Sequence, residues 1–331
     1  MDAIAPSPLP MSTELTSKAD VCSICHGGFH GRNVAPVNLN PKCQTHCGHY
    51  FHLHCITGQF VDEPLGSRRC KLCRQNPIPV LNTSTGESYP DKFFADQRFR
   101  SACCSRDLKQ VQKLLEEGVN INAVMNAGFT ALMIASSEGF TDLAELLIRH
   151  GADVNAARAE DGVTALFLTA QNNDPDVTRL LISARADPNI PRTSDGATPL
   201  AIAVQEGCTE CVKLLLQAGA FTSAVLSSGM TLLYIAALRG NTDCLKLLLK
   251  AGLDPNDASS IGITPLYIAA LKGNTDCVKL LIDAGANINA RTKNGSTPLS
   301  IATRMGNTDC VKVLIETGKS QEAKEKHDVL Q

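Results

Sequence analysis

Residues 195–220 read DGATPLAIAVQEGCTECVKLLLQAGA, and the stretch contains one complete structural unit. Thr198 stands where a side-chain oxygen can cap a helix, and Pro199 follows at a first helical position, where a missing N–H costs nothing. Val212, Leu215 and Leu216 recur at helical spacing. Gly207 fits a turn between two helices, and Gly219 fits the left-handed residue that ends the second. The unit therefore predicts two helices joined by a tight turn. Its Thr marker, preceded two residues earlier by Gly, recurs at Thr130, Thr164, Thr198, Thr231, Thr264 and Thr297, at spacings of 34, 34, 33, 33 and 33 residues.

That period and the Thr-Pro-Leu pattern resemble ankyrin repeats, stacked helix pairs joined by hairpin loops. An atypical stretch at 97–126 resembles an N-terminal cap, which gives about seven units over 97–318. Gly139, Gly207, Gly240, Gly273 and Gly306 fall at the inter-helix turn. Gly151, Gly219, Gly252, Gly285 and Gly318 fall after the second helix, where positive φ is expected. The third unit departs from this, with Asn173 and Arg185 where Gly belongs. An Arg there costs roughly 1–2 kcal/mol, so this unit is the expected weak link. The family usually carries His after Thr-Pro-Leu. Here the position holds Met133, Phe167, Ala201, Tyr234, Tyr267 and Ser300, so the usual inter-repeat hydrogen bond is expected to be missing. Cys211, Cys244, Cys277 and Cys310 recur in register and fit a small buried core position better than a metal ladder or redox sensor. Ankyrin stacks present a concave surface to other proteins. The positions expected to line it are Leu238, Arg239, Leu271 and Lys272, with Tyr234 and Tyr267 nearby.

The N-terminal part carries different chemistry. CSIC (Cys22, Cys25) is followed by CGHYFHLHC (Cys47, His49, His52, Cys55) and CKLC (Cys70, Cys73), a run of closely spaced metal-ligand pairs. Structural zinc takes four thiolate or imidazole ligands in a tetrahedron, and one tight turn can present a Cys pair to one metal. The run resembles a RING finger over 21–76, in the version with two histidines. That resemblance implies two structural zinc ions on interleaved ligands: Cys22, Cys25, His52 and Cys55 for one, Cys47, His49, Cys70 and Cys73 for the other. The same run also resembles a PHD finger, in which Cys43 would replace His49 and the domain would read histone tails. PHD fingers usually carry an aromatic two residues before the seventh ligand, where this chain has Arg68, and the chain has no Trp. Under the RING reading, Cys43 and His46 are loop residues.

The RING resemblance implies a ubiquitin ligase with no covalent catalysis of its own. Such a domain binds a ubiquitin-charged conjugating enzyme and holds its thioester in a reactive pose, so its contribution is orientation. Ile24 matches the apolar docking residue, and Arg74 matches the basic residue that clamps ubiquitin. Ile56 and Phe60 match a short helix with an apolar groove. Gln59 at the usual aromatic position and Lys71 at a usual Pro depart from the family. A non-catalytic zinc-finger and ankyrin adaptor is the alternative.

Together these features predict a mostly α protein, an ankyrin solenoid with a small zinc-stabilised α+β domain before it. The chain has 331 residues and a net charge of −2, which gives no electrostatic case for nucleic acid. Residues 1–20 are Pro- and Ser-rich and are expected to be disordered rather than a signal peptide. No apolar run approaches the ~20 residues of a membrane span. The 14 cysteines, without signs of secretion, point to a reducing compartment, cytoplasm or nucleus. Residues 77–96, with three Pro, are expected to be a linker, and 319–331 a charged, fraying tail.

Overall fold

The computed structural model describes residues 22, 24, 42–60, 68–70, 72–86, 88–89, 91–223 and 226–329. The expected disordered N-terminus and Cys25 lie outside these residues. The chain divides into two compact units, Met1–Asn120 and Ile121–Gln331.

The N-terminal unit is built on a small antiparallel sheet of order β2-β1-β3-β4. It comprises β1 (Lys42–Thr45), β2 (Tyr50–His52), β3 (Val80–Asn82) and β4 (Ser88–Tyr89), with helix α1 (Leu53–Phe60) following β2. Cys43 pairs with Phe51 across β1–β2 and with Asn82 across β1–β3. A core of Cys22, Cys43, Phe51, Ile56, Phe60, Cys70 and Val80 lies beneath the sheet and α1. Two expectations are corrected here. Cys43 is not a loop residue but a fully buried strand residue. Residues 77–96 are not a linker: they supply β3, β4 and the start of α2 (Asp91–Cys104), and β3 closes on β1. Pro77 and Pro79 precede β3 rather than interrupt it.

Helices α2 and α3 (Leu108–Glu116) form the atypical cap unit and fall within the N-terminal compact unit. Helix α2 packs on α1 and β4 as well as on α3, burying Phe99, Ala102 and Cys103.

The second unit is a stack of helix pairs: α4 (Ala131–Glu138) with α5 (Thr141–Arg149), α6 (Ala165–Gln171) with α7 (Pro175–Ser183), and α8 (Pro199–Glu206) with α9 (Thr209–Gln217). The stack continues with α10 (Leu232–Arg239) and α11 (Thr242–Lys250), α12 (Pro265–Lys272) and α13 (Thr275–Asp283), and α14 (Pro298–Met305) and α15 (Thr308–Val329). Each marker Thr caps its inner helix, as Thr264 does by accepting from the Tyr267 N–H at 3.2 Å. Inner helices approach closely because small residues recur between them, with Ala203, Ala236, Ala269 and Ala302 fully buried. Cys211, Cys244, Cys277 and Cys310 are buried at the start of the outer helices, as small core residues.

The turns carry the expected positive φ, and Asn173 and Arg185 adopt it too, at 56° and 65°. Gly318 does not. Helix α15 runs through it to Val329, so the expected left-handed turn and fraying tail are replaced by continuous helix. The repeats are tied by asparagine side chains at the inter-helix turns. Asn274 Nδ2 donates to the Ala237 carbonyl at 2.7 Å, and Asn241 and Asn307 repeat the contact on their preceding repeats. In the hairpin loops, the Asp187 N–H donates to Asn155 Oδ1 at 2.8 Å and the Asn287 N–H donates to Asn256 Oδ1 at 2.7 Å.

Candidate metal centres

Two tight backbone features and one helix start bring the ligands together. The β1–β2 connection turns at Gly48, whose φ of 86° suits a residue without Cβ. The Thr45 N–H donates to the His49 carbonyl and the His49 N–H donates to Thr45 Oγ1, so Cys47 and His49 project from a fixed loop. A second knuckle forms at 70–75, where the Arg74 N–H donates to the Cys70 carbonyl at 2.7 Å and the Cys70 N–H donates to the Gln75 carbonyl at 2.9 Å. It presents Cys70 and Cys73. The His46 N–H donates to the Pro77 carbonyl at 2.9 Å and joins the two features.

The ligand atoms of Cys47, His49, Cys70 and Cys73 all lie within 4.8 Å of one another. His49 Nδ1 stands 3.5 Å from Cys47 Sγ and 3.6 Å from Cys70 Sγ. A second group joins Cys22, His52 and Cys55 on the same criterion. His52 ends β2, Cys55 sits in the first turn of α1, and their ligand atoms are 3.9 Å apart. Cys25, the expected fourth member, lies outside the described residues. Cys43 belongs to neither group and is packed in the core.

The electrostatics match a cluster of thiols that share charge. Burial alone would push the Cys47 thiol up, but hydrogen bonds from His49, Thr45, Cys73 and Cys70 bring it down to about 6. Burial raises Cys70 to about 11, although backbone N–H groups of Cys73 and Leu72 work against it. Burial, and then the charge of His54, lowers His52 and favours the neutral imidazole that a metal needs. These clusters could each hold a metal ion.

The other expected site residues fall in different settings. Arg74 is exposed, with φ of 59°. Ile24 is half-buried against the core. Ile56 and Phe60 are corrected: both are fully buried in the core, so neither offers a groove to a partner. Leu72, 52% accessible between Cys70 and Cys73, is an exposed apolar residue beside the second cluster. Arg68 is buried. Its Nε donates to the Phe60 carbonyl at the C-terminus of α1, where the helix dipole favours a cation. In the stack, Arg239 and Lys272 are exposed while Tyr234, Leu238 and Leu271 are half-buried. Tyr267 is buried and donates to Ser296 Oγ at 3.3 Å, so it serves packing rather than the surface strip. Burial raises the thiols of Cys211, Cys244 and Cys277, with hydrogen bonds to Thr178, Thr209 and Thr242 opposing it, which keeps them protonated and unlike redox-sensing thiolates.

Comparison with known proteins agrees with the stack. The family model for ankyrin repeats (3 copies) matches residues 99–192, 166–259 and 233–325. The chain belongs to the ankyrin-repeat family. It is also similar to the tyrosine-protein kinase HTK16 of Hydra vulgaris, 36% identical over 74 residues, which is 22% of this chain. The match spans only a tenth of that kinase's length. No RING-finger family match is found.

Proposed function

We propose that the N-terminal unit is a RING-type zinc finger that binds a ubiquitin-charged conjugating enzyme, and that the ankyrin stack recruits the protein to be modified. The observation that carries this reading is the interleaving of the two clusters. His52 and Cys55 join Cys22 across the stretch that supplies Cys47 and His49, which in turn join Cys70 and Cys73. His49 rather than Cys43 completes the second cluster, which favours the RING arrangement over the PHD one. The donor set suits zinc. Bonds of about 2.3 Å to sulfur and 2.0–2.1 Å to nitrogen at tetrahedral angles put S and N about 3.5 Å apart, close to the His49 separations. Cys25 would complete the first set.

Zinc here would be structural, with every position taken by protein, so catalysis would come from holding the thioester. Arg74 is exposed beside the second cluster, and its guanidinium can donate to two carbonyls at once. Ile24 and Leu72 are the apolar residues available for docking. Thiolate ligands need a compartment that keeps cysteines reduced, cytoplasm or nucleus. The test is ubiquitin discharge from a panel of charged conjugating enzymes, with Ile24→Ala and Arg74→Ala as variants. Discharge lost in both supports the ligase. No discharge from a folded protein with two bound zinc ions supports the second reading, a non-catalytic adaptor, which the burial of Ile56 and Phe60 favours.

A further inference from the structure

The inner helices of the stack end in equivalent surface positions, and the charge along them changes sign. Glu138 and Glu206 close α4 and α8, whereas Arg239 and Lys272 close α10 and α12, and all four are exposed. Arg304, exposed one place earlier in α14, continues the basic half. A cation is favoured at a helix C-terminus and an anion is not, so the dipole does not account for the row as a whole. Nor are these cations used within the fold. On the outer helices Lys213, Lys279 and Lys312 pair with Glu210, Asp276 and Asp309. Among the described residues, no carboxylate pairs with Arg239, Lys272 or Arg304. Leu238 and Leu271 lie half-exposed in the adjacent row, so cation and apolar surface alternate along two successive repeats, and in the third Arg304 takes the leucine position.

We propose that this strip binds an extended acidic segment of a partner protein, with a carboxylate at every third residue and apolar residues between. The spacing motivates the extended form. Packed helices stand about 8–10 Å apart. A polyproline-type chain advances about 9 Å per turn of three residues, so its every third side chain lies on one face in step with the repeats. Alternating leucines favour a peptide over a nucleic acid. The inference rests on the reading that the stack recruits a protein, but not on the zinc unit acting as a ligase.

The test is fluorescence anisotropy of the full chain with a labelled peptide of repeated Glu-Leu-Pro triplets, against a Lys-Leu-Pro peptide and a single-stranded oligonucleotide. The acidic peptide is expected to bind, to weaken with added salt, and to lose at least about tenfold in affinity with Arg239→Glu/Lys272→Glu. Lys279→Glu, on an outer helix, is expected to leave binding unchanged. Thermal melting of the double variant confirms that the stack is intact. Equal binding of the lysine peptide or the oligonucleotide, or no loss in a folded double variant, overturns the proposal. Conjugating-enzyme discharge does not involve the strip, so discharge retained by the double variant separates failure here from failure of the ligase reading.

Discussion

In the core cluster beneath the small sheet and α1, three of the seven buried residues are cysteines, and two of them, Cys22 and Cys70, also face the candidate metal sites. In the stack, the buried rows are Leu, Ile, Val and Ala repeated from unit to unit, and Cys244 and Cys277 there meet Thr209 and Thr242 of the preceding repeats. Small units bury too little apolar surface to stand alone, and they need a staple. A stack has no such limit, since each repeat adds an interface with its neighbour. The two units should therefore respond to opposite perturbations.

The largest expected effect is metal removal. Structural zinc contributes roughly 10–16 kcal/mol of apparent folding energy. Treatment with a strong chelator should abolish amide-exchange protection in 42–60 and 68–86 while leaving α4 to α14 protected. Protection that survives in the N-terminal unit with no metal bound would show that its small apolar core suffices, and the contrast between units would fail.

The second prediction sharpens the ligand set. His49→Ala should lose about one of the two bound ions by elemental analysis, because it removes a ligand from a closed tetrahedron. Cys43→Ala should keep both and lose only about 1 kcal/mol, as expected for a small side chain deleted from a packed core. The reverse result would restore the PHD arrangement. Spacing alone left this choice open, since Cys43 precedes Cys47 at a plausible ligand interval. In the structure β1 pairs Cys43 with Phe51 and turns its side chain into the core, apart from both candidate clusters.

Other features were hidden from the sequence for related reasons. The repeat period, marker Thr caps and turn glycines were legible because each is a local rule applied many times. Residues 77–96 looked like a linker because β3 and β4 are too short to show alternation, and β3's partner β1 lies nearly forty residues away. Nothing local in the sequence marks Arg68 for burial, and the end of α1 gives it a buried place. The inter-repeat asparagines leave no local signature, because each donates to a carbonyl 37 residues earlier in the chain. Their importance is testable. Asn274→Ala leaves the Ala237 carbonyl without its partner and should destabilise the stack by about 1–3 kcal/mol in a urea melt, with metal content unchanged. A loss of under a few tenths would mean that packing alone holds the repeats in register.

The smallest expected effect probes the stack's weakest turn. Arg185 has φ of 65° at a position that Gly151, Gly219, Gly252 and Gly285 occupy in other repeats, with φ between 80° and 92°. Its N–H still donates to the Ile182 carbonyl at 3.0 Å, so the turn forms in the same way and the side chain bears the strain. A left-handed L-residue costs roughly 1–2 kcal/mol, while Gly gives back roughly 0.5–1 kcal/mol through its freer unfolded chain. Arg185→Gly should therefore stabilise the stack by about 0.5–1 kcal/mol and raise its melting temperature by about 1–4 °C. Asn173→Gly, at φ of 56°, should change little, because Asn tolerates this region. The N-terminal unit should not respond to either change, since its stability rests on ligands and not on turn backbone. A lower melting temperature for Arg185→Gly would mean that the arginine makes a contact worth more than its strain, and the third repeat would then not be the weak link.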